Sequence, residues 1–257
     1  MTKISLITAT LNCADTIEET IKSVFAQTYS DIEHIIVDGG STDATLSKIE
    51  PWLQRCGDKI KYIEKSDKGV YEAINNGIKV ATGDVVGVLH SDDFFTSADI
   101  LESVARTFSD SSIDMVYGDV HFVNTNSPER VLRYYSGSWF DRKKLRYGIA
   151  PPHPSMYCRR EVYLKYGLYS TDYKIAGDFD MFVRLLWKWE ITARYLPVDM
   201  VTMRTGGIST RWSSRLWRNT AEKHRVLLDN GIKTSWWQVL YRYVLLLCHY
   251  SWHRGRK

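Results

Sequence analysis

No stretch of this chain reaches the roughly 20 consecutive apolar residues that a helix needs to span a bilayer. Cysteine is scarce: Cys13, Cys56, Cys158 and Cys248 stand far apart and form no CxxC pair. That spacing points to neither a zinc site nor a disulfide framework, and a reducing cytoplasm is the expected compartment. The opening "MTKISLITATLN" has one Lys and an apolar run too short for a secretory signal, so it reads as a first strand. "TATLNCAD" closes that strand where a dinucleotide oxidoreductase would carry GxGxxG. The Gly-rich, basic loop of a sugar-nucleotide nucleotidyltransferase is missing from the same place. No repeat and no low-complexity linker marks a flexible joint.

What is present alternates. Hydrophobic residues make up 44% of the chain, which excludes disorder. "KISLITAT", "IEHIIVDGG", "KIKYIEK" and "DVVGVLH" read as strands, and the last is apolar enough to be covered on both faces. Between them "DTIEETIKSVFAQ", "TDATLSKIEPWLQ" and "GVYEAINNGIKVA" show helical periodicity. Asp15 and Glu18 have the spacing of a capping box for the first of these. The pattern predicts an α/β fold: a Rossmann-like, mostly parallel central sheet with helices on both faces. Further on, "IDMVYGDVHFV" and "ERVLRYYSG" read as a hairpin, "APPHPS" as a rigid loop, "REVYLKYG" and "DFDMFVRLLWKW" as helices, and "ITARYLPVDMVTMR" as one or two strands. Two helices close the chain.

Ligands in such sheets bind at the carboxyl ends of the strands. Here those ends are Thr8-Ala9-Thr10, Asp38-Gly39-Gly40, Asp67-Lys68-Gly69 and His90-Ser91-Asp92-Asp93, so three of four carry carboxylates. Two adjacent carboxylates repel and are costly to bury unpaired, so they need a basic side chain, a helix N-terminus or a metal. A nucleoside diphosphate facing this rim would itself be anionic. Mg²⁺ or Mn²⁺ resolves the conflict, because it bridges phosphate oxygens with only one or two protein carboxylates. The plain alternative at each position is a turn or a helix cap. Their recurrence at successive strand ends favours a site.

Over roughly the first 210 residues the chain resembles a family 2 glycosyltransferase of the GT-A fold. The resemblance rests on "ISLITATLN", "SVFAQTYSDIEHIIVDGGSTDAT", "SDKGVYEAINNGIKVATGDVVGVLHSDD", "PPHPSMYCRREVY" and "IAGDFDMFVRLL". It is to the bacterial branch that builds capsular, O-antigen and exopolysaccharide repeat units. It implies an inverting, metal-dependent transfer of a sugar from a nucleoside diphosphate, UDP by preference, to a glycan or lipid-linked glycan hydroxyl. It implies nucleotide contacts at Ala9, Asp38, Asp67, Lys68 and Asp92, a metal held by Asp93 with Asp92, and Asp178 as catalytic base. Many relatives have Asp where this chain has Gly39, and Asp where it has His90. His153, Asp180 and Arg184 are further candidates for the acceptor or sugar pocket, with Asp180 the fallback base. The rival of a different class, a non-catalytic nucleotide-sugar binder, would be expected to lose these carboxylates.

The division expected is a glycosyltransferase domain over 1–210, with a nucleotide-sugar half (1–123) and an acceptor half (124–210), and a tail over 211–257. The tail holds ten Lys/Arg against Glu222 and Asp229, and five of the nine tryptophans. Such a basic, Trp-rich amphipathic helix fits an anionic membrane surface on the inner face of the cell membrane. Packing on the domain or a contact with a second copy of the chain fits it too. No nucleic-acid motif accompanies the charge, so no nucleic acid is expected.

Overall fold

A computed structural model describes residues 2–65, 69–125, 127–205 and 214–254. The first half follows the alternation. β1 (Ile4–Thr10), α1 (Ile17–Phe25), β2 (Ile32–Asp38), α2 (Thr45–Cys56), β3 (Ile60–Glu64), α3 (Val70–Val80) and β4 (Val85–Val88) succeed one another. The strands lie in the order β3-β2-β1-β4, all parallel. Side chains of a strand alternate between faces. Ile35 and Val37 of β2 therefore join the core under α3, while Ile36 joins Ile17, Ile21 and Ile49 of α1 and α2. Pairing of Thr10 with Asp38 and of Asp38 with Glu64 brings the strand ends to one rim.

The second half is mixed. β5 (Phe94–Phe95), α4 (Ile100–Thr107), β6 (Met115–Asn124), β7 (Ser127–Tyr135), β8 (Tyr157–Arg159), α5 (Arg160–Tyr166), α6 (Gly177–Phe182), β9 (Ala193–Thr205), α7 (Ser214–Asp229) and α8 (Trp236–Arg254) follow. α6 continues into a π-helical turn over Val183–Lys188. The three-residue β8 wedges antiparallel between β4 and β6 and joins the two halves of the sheet. The Tyr157 ring crosses Gly87 of β4 so closely that a Cβ there would sit 2.4 Å from it. β6 and β9 pair in parallel, while β5 with β9 and β6 with β7 are antiparallel. The mostly parallel sheet expected is thus wholly parallel over its first four strands and mixed beyond β4, where β6 and β9 still run parallel.

One local expectation changes. The Asp15–Glu18 capping box is not formed: α1 is entered through Thr16, whose hydroxyl donates to the Ser91 carbonyl (2.8 Å) instead of capping its own helix. The tail packs on the domain, one of the placements that suited its composition. Val226, Leu227, Ile232 and Val239 share one core with Ile7, Ile74 and Phe179. The 123/124 boundary falls at the tip of the β6–β7 hairpin, within one sheet.

Candidate active site

Past β4 the Leu89 amide still donates to the Ile7 carbonyl, extending the ladder by one residue. A turn then closes, with the Asp93 amide donating to the His90 carbonyl (3.0 Å). Within it the adjacent carboxyls part company. Asp92 stays partly exposed at the rim. Asp93 is 1% exposed, and its Oδ2 meets no partner. Burial, and then the neighbouring Asp92 charge, push the Asp93 carboxyl well above the usual range, against the opposing pull of the Arg204 backbone amide and charge. The basic residue that the pair required is Arg204 of β9. Its guanidinium donates to the Asp92 carbonyl (2.8 Å), pairs with Glu19 and lies 4.8 Å from the Phe94 ring centroid. It clamps the backbone of the turn and leaves the Asp92 carboxylate free of that bond.

Across the rim stands Asp178, in the first turn of α6. It is not the N-cap, a place taken by Ala176. Its Oδ1 accepts from the Phe179 amide (2.7 Å) and lies 3.5 Å from the Tyr71 hydroxyl. Tyr71 donates its shorter bond (2.6 Å) to the Ile175 carbonyl. Its ring passes so near Gly177 that a Cβ there would fall 2.7 Å from it, which accounts for glycine in "AGDFD". His90 and His153 sit together, ring centroids 5.9 Å apart, and the His153 Nε2 bonds the Tyr169 hydroxyl (2.9 Å). Burial lowers both imidazoles, His153 to about 4, although Asp178 pulls each the other way, as does Asp92 on His90. Two carboxylates from distant segments thus face a rim lined by uncharged imidazoles.

Residues 5–165 match the model of the family described as Glycosyl transferase family 2. The chain belongs to that family. A PGL/p-HBAD biosynthesis glycosyltransferase of Mycobacterium tuberculosis is 30% identical to it over 259 residues, covering 98% of each chain. S. aureus TarS in complex with UDP-GlcNAc shares the fold with a TM-score of 0.68 at 18% identity, over 90% of this chain and 68% of that one. A mannosyltransferase, PcManGT from Pyrobaculum calidifontis in complex with GDP-Man and Mn²⁺, gives 0.62 at 20% identity, over 87% of this chain and 64% of that one. The fold of this glycosyltransferase is GT-A.

The remaining expected residues of the glycosyltransferase divide. Ala9 is partly exposed at the end of β1. Asp38 is buried and occupied: Oδ1 accepts from the Gly40 and Ser41 amides and the Ser41 hydroxyl, and Oδ2 accepts from Tyr62 (2.9 Å). Asp67 and Lys68 lie outside the described residues. Asp180 and Arg184 are taken up by each other. Asp180 is 3% exposed, accepts from the Arg184 Nε (2.8 Å) and from Asn230 (3.1 Å), and is thereby a structural partner. Arg184 spends its other donors on the Tyr166, Gly167 and Leu168 carbonyls.

Sequence reasoning missed Tyr71, Arg204 and Lys223. The signal for Tyr71 was its place in the first turn after a strand-end loop. Lys223 of α7 donates to the Gly148 carbonyl (2.8 Å) and lies 4.7 Å from the Phe179 ring centroid. Burial first, then the charge of Arg242, lower its ammonium to about 7, and Asp178 draws it back up.

A divalent ion fits this donor set in a limited way. Among the described residues no three His, Cys, Asp or Glu converge as a metal cage. Nucleotide-bound Mg²⁺ and Mn²⁺ do not need one, since phosphates and water complete the shell. Asp92 is the carboxylate that reaches the rim. Asp93, expected as the principal ligand, is buried behind it, with its Oδ2 unpartnered.

Proposed function

We propose that the protein is an inverting glycosyltransferase that moves a sugar from a nucleoside diphosphate, UDP by preference, to a hydroxyl of a glycan or lipid-linked glycan in surface polysaccharide synthesis. The observation that carries this reading is Asp178: a partly exposed carboxylate whose described hydrogen bonds both fall on Oδ1, leaving Oδ2 free at the rim. Oδ2 removes the acceptor proton as the hydroxyl attacks the anomeric carbon. The Phe179 amide holds the other oxygen, with the Tyr71 hydroxyl 3.5 Å away, so the base is oriented before the acceptor arrives. Asp92 would hold a divalent ion, which would supply charge stabilisation to the departing diphosphate. Asp38 fastens the Gly39-Gly40-Ser41 loop that frames the nucleoside. Support comes from the family match and from the UDP-GlcNAc and GDP-Man complexes of proteins sharing the fold. A screen of nucleotide sugars for Mn²⁺-dependent hydrolysis, followed by lipid-linked acceptors, tests it. No hydrolysis or transfer from any nucleotide sugar would sink the reading.

In the same proposal, α8 rests on the cytoplasmic face of an anionic membrane. Among the described residues no helix is long and apolar enough to cross one. α8 has two faces: Val239 and Arg242 are buried against the protein, while Trp237 (82% exposed), Tyr241, Val244 and Leu247 (69%) form an outward apolar stripe. No acidic residue follows Asp229, whereas Lys233, Arg254, Arg256 and Lys257 do. Each basic residue near an anionic surface contributes about 1 kcal/mol. Replacing Trp237, Tyr241 and Leu247 by Ser should abolish flotation with phosphatidylglycerol vesicles. Equal flotation of both proteins, or of neither, excludes the stripe as the anchor.

A further inference from the structure

The segment that carries Asp178 is held in place from the tail. The Ile175 and Ala176 amides precede α6 and have no acceptor within it. Both donate to one oxygen of Glu222 on α7, at 2.7 and 3.0 Å. The other side of the same peptide unit is taken by α3, since the Ile175 carbonyl accepts from Tyr71. α7 fastens the segment at its two ends as well. Asp229 accepts from the Tyr173 hydroxyl (2.6 Å), and Asn230, just past the helix, donates to Asp180 (3.1 Å). The stretch from 173 to 180 is thereby gripped from outside the sheet, and Asp178 lies between the grips.

We infer that Glu222 is a positioning residue for transfer: its carboxylate sets the 175–176 backbone and, through it, the direction of the Asp178 carboxylate. This rests on Asp178 being the base. Glu222 lies beyond the 5–165 stretch that matches the family, and its hydrogen bonds go to the Ile175 and Ala176 amides. A carboxylate suits the task because one oxygen can accept two amides, and charge-assisted bonds are the stronger kind. Misplacement of a reacting group by about 1 Å costs on the order of 100-fold in rate, so loss of the clamp should appear in the chemical step and not in donor binding.

The test measures kcat, donor KM, UDP affinity and Tm for Glu222→Ala, Glu222→Asp and Glu222→Gln in the full chain, beside Asp178→Asn. Glu222→Ala should lower kcat about 10- to 100-fold with donor KM and UDP affinity within about twofold. Glu222→Gln should keep most of the activity, because its amide oxygen still accepts both N–H groups. Glu222→Asp folds with its charge retained but falls short of the two amides, so it too should lose kcat. Wild-type kcat per folded molecule in Glu222→Ala or Glu222→Asp, with only Tm reduced, makes the clamp merely structural and overturns the inference. A rise in donor KM that accounts for the loss overturns it as well. Full activity of Asp178→Asn would refute the base assignment itself, whereas an inactive Asp178→Asn beside a fully active Glu222→Ala refutes only the role of Glu222.

Discussion

Asp178 and Asp180 are two residues apart and should respond to the same substitution in opposite ways. Asn at 178 keeps Oδ1, and with it the bond from Phe179 and the approach of Tyr71. It replaces only the outward oxygen. Stability should stay within about 0.5 kcal/mol of wild type, as for a partly exposed substitution that breaks no network, while transfer falls by about 10²- to 10⁴-fold, the usual contribution of a general base. Asn at 180 leaves the Arg184 guanidinium without its countercharge in the interior. Breaking a buried pair from one side costs about 3–5 kcal/mol. For a chain of this size that lowers Tm by on the order of 10 °C. Scanning calorimetry and transfer assays at a temperature where both variants are folded separate the two. A stable, inactive Asp180→Asn together with a fully active Asp178→Asn would refute the assignment and move the base by two residues.

The two acids after β4 should separate as well. Asp92→Asn should weaken UDP binding in Mn²⁺ by at least about tenfold, since charge-assisted contacts are worth roughly 1.5–3 kcal/mol, while Asp93→Asn, already buried beside the Arg204 amide, stays within about threefold of wild type by titration calorimetry. The reverse order would return the metal to Asp93. Lys223 predicts a pH effect. Its folded pKa of about 7 lies below the ordinary 10.5, so the unfolded chain binds more protons between those values, and this group's contribution to stability rises with pH across that window. Lys223→Met should therefore raise Tm more at pH 6.5 than at pH about 9.5. An equal change at both pH values would show that the ammonium is not held down.

The parallel half was legible because β1, β2 and β4 are apolar runs flanked by helices with a plain 3.6-residue repeat. β5 and β8 were not, having two and three residues and no period to read. The rim acids were legible as a group, but their individual directions were not. Residues two apart on a helix point about 200° away from each other, so Asp178 reaches the rim while Asp180 turns to Arg184. A turn likewise sends Asp92 outward and Asp93 inward, a decision made by the distant Arg204. The tail misled in a different way. Its excess of basic residues reads as surface, and that hides Glu222 and Lys223, which face the 173–180 segment.

The grip of α7 on the 173–180 segment has a bearing on synthesis. A chain leaves the ribosome N-terminus first, and its parts fold in that order. The four parallel strands and the turn with Asp92 lie within the first hundred residues, so a nascent chain can build the donor-facing rim early. Asp178 emerges later, and the helix that holds its backbone emerges later still. With Asp178 as the proposed base, competence for transfer would wait for the end of translation. A ribosome stalled near residue 210 would then display the strand-end rim without the α7 grip on the Asp178 segment.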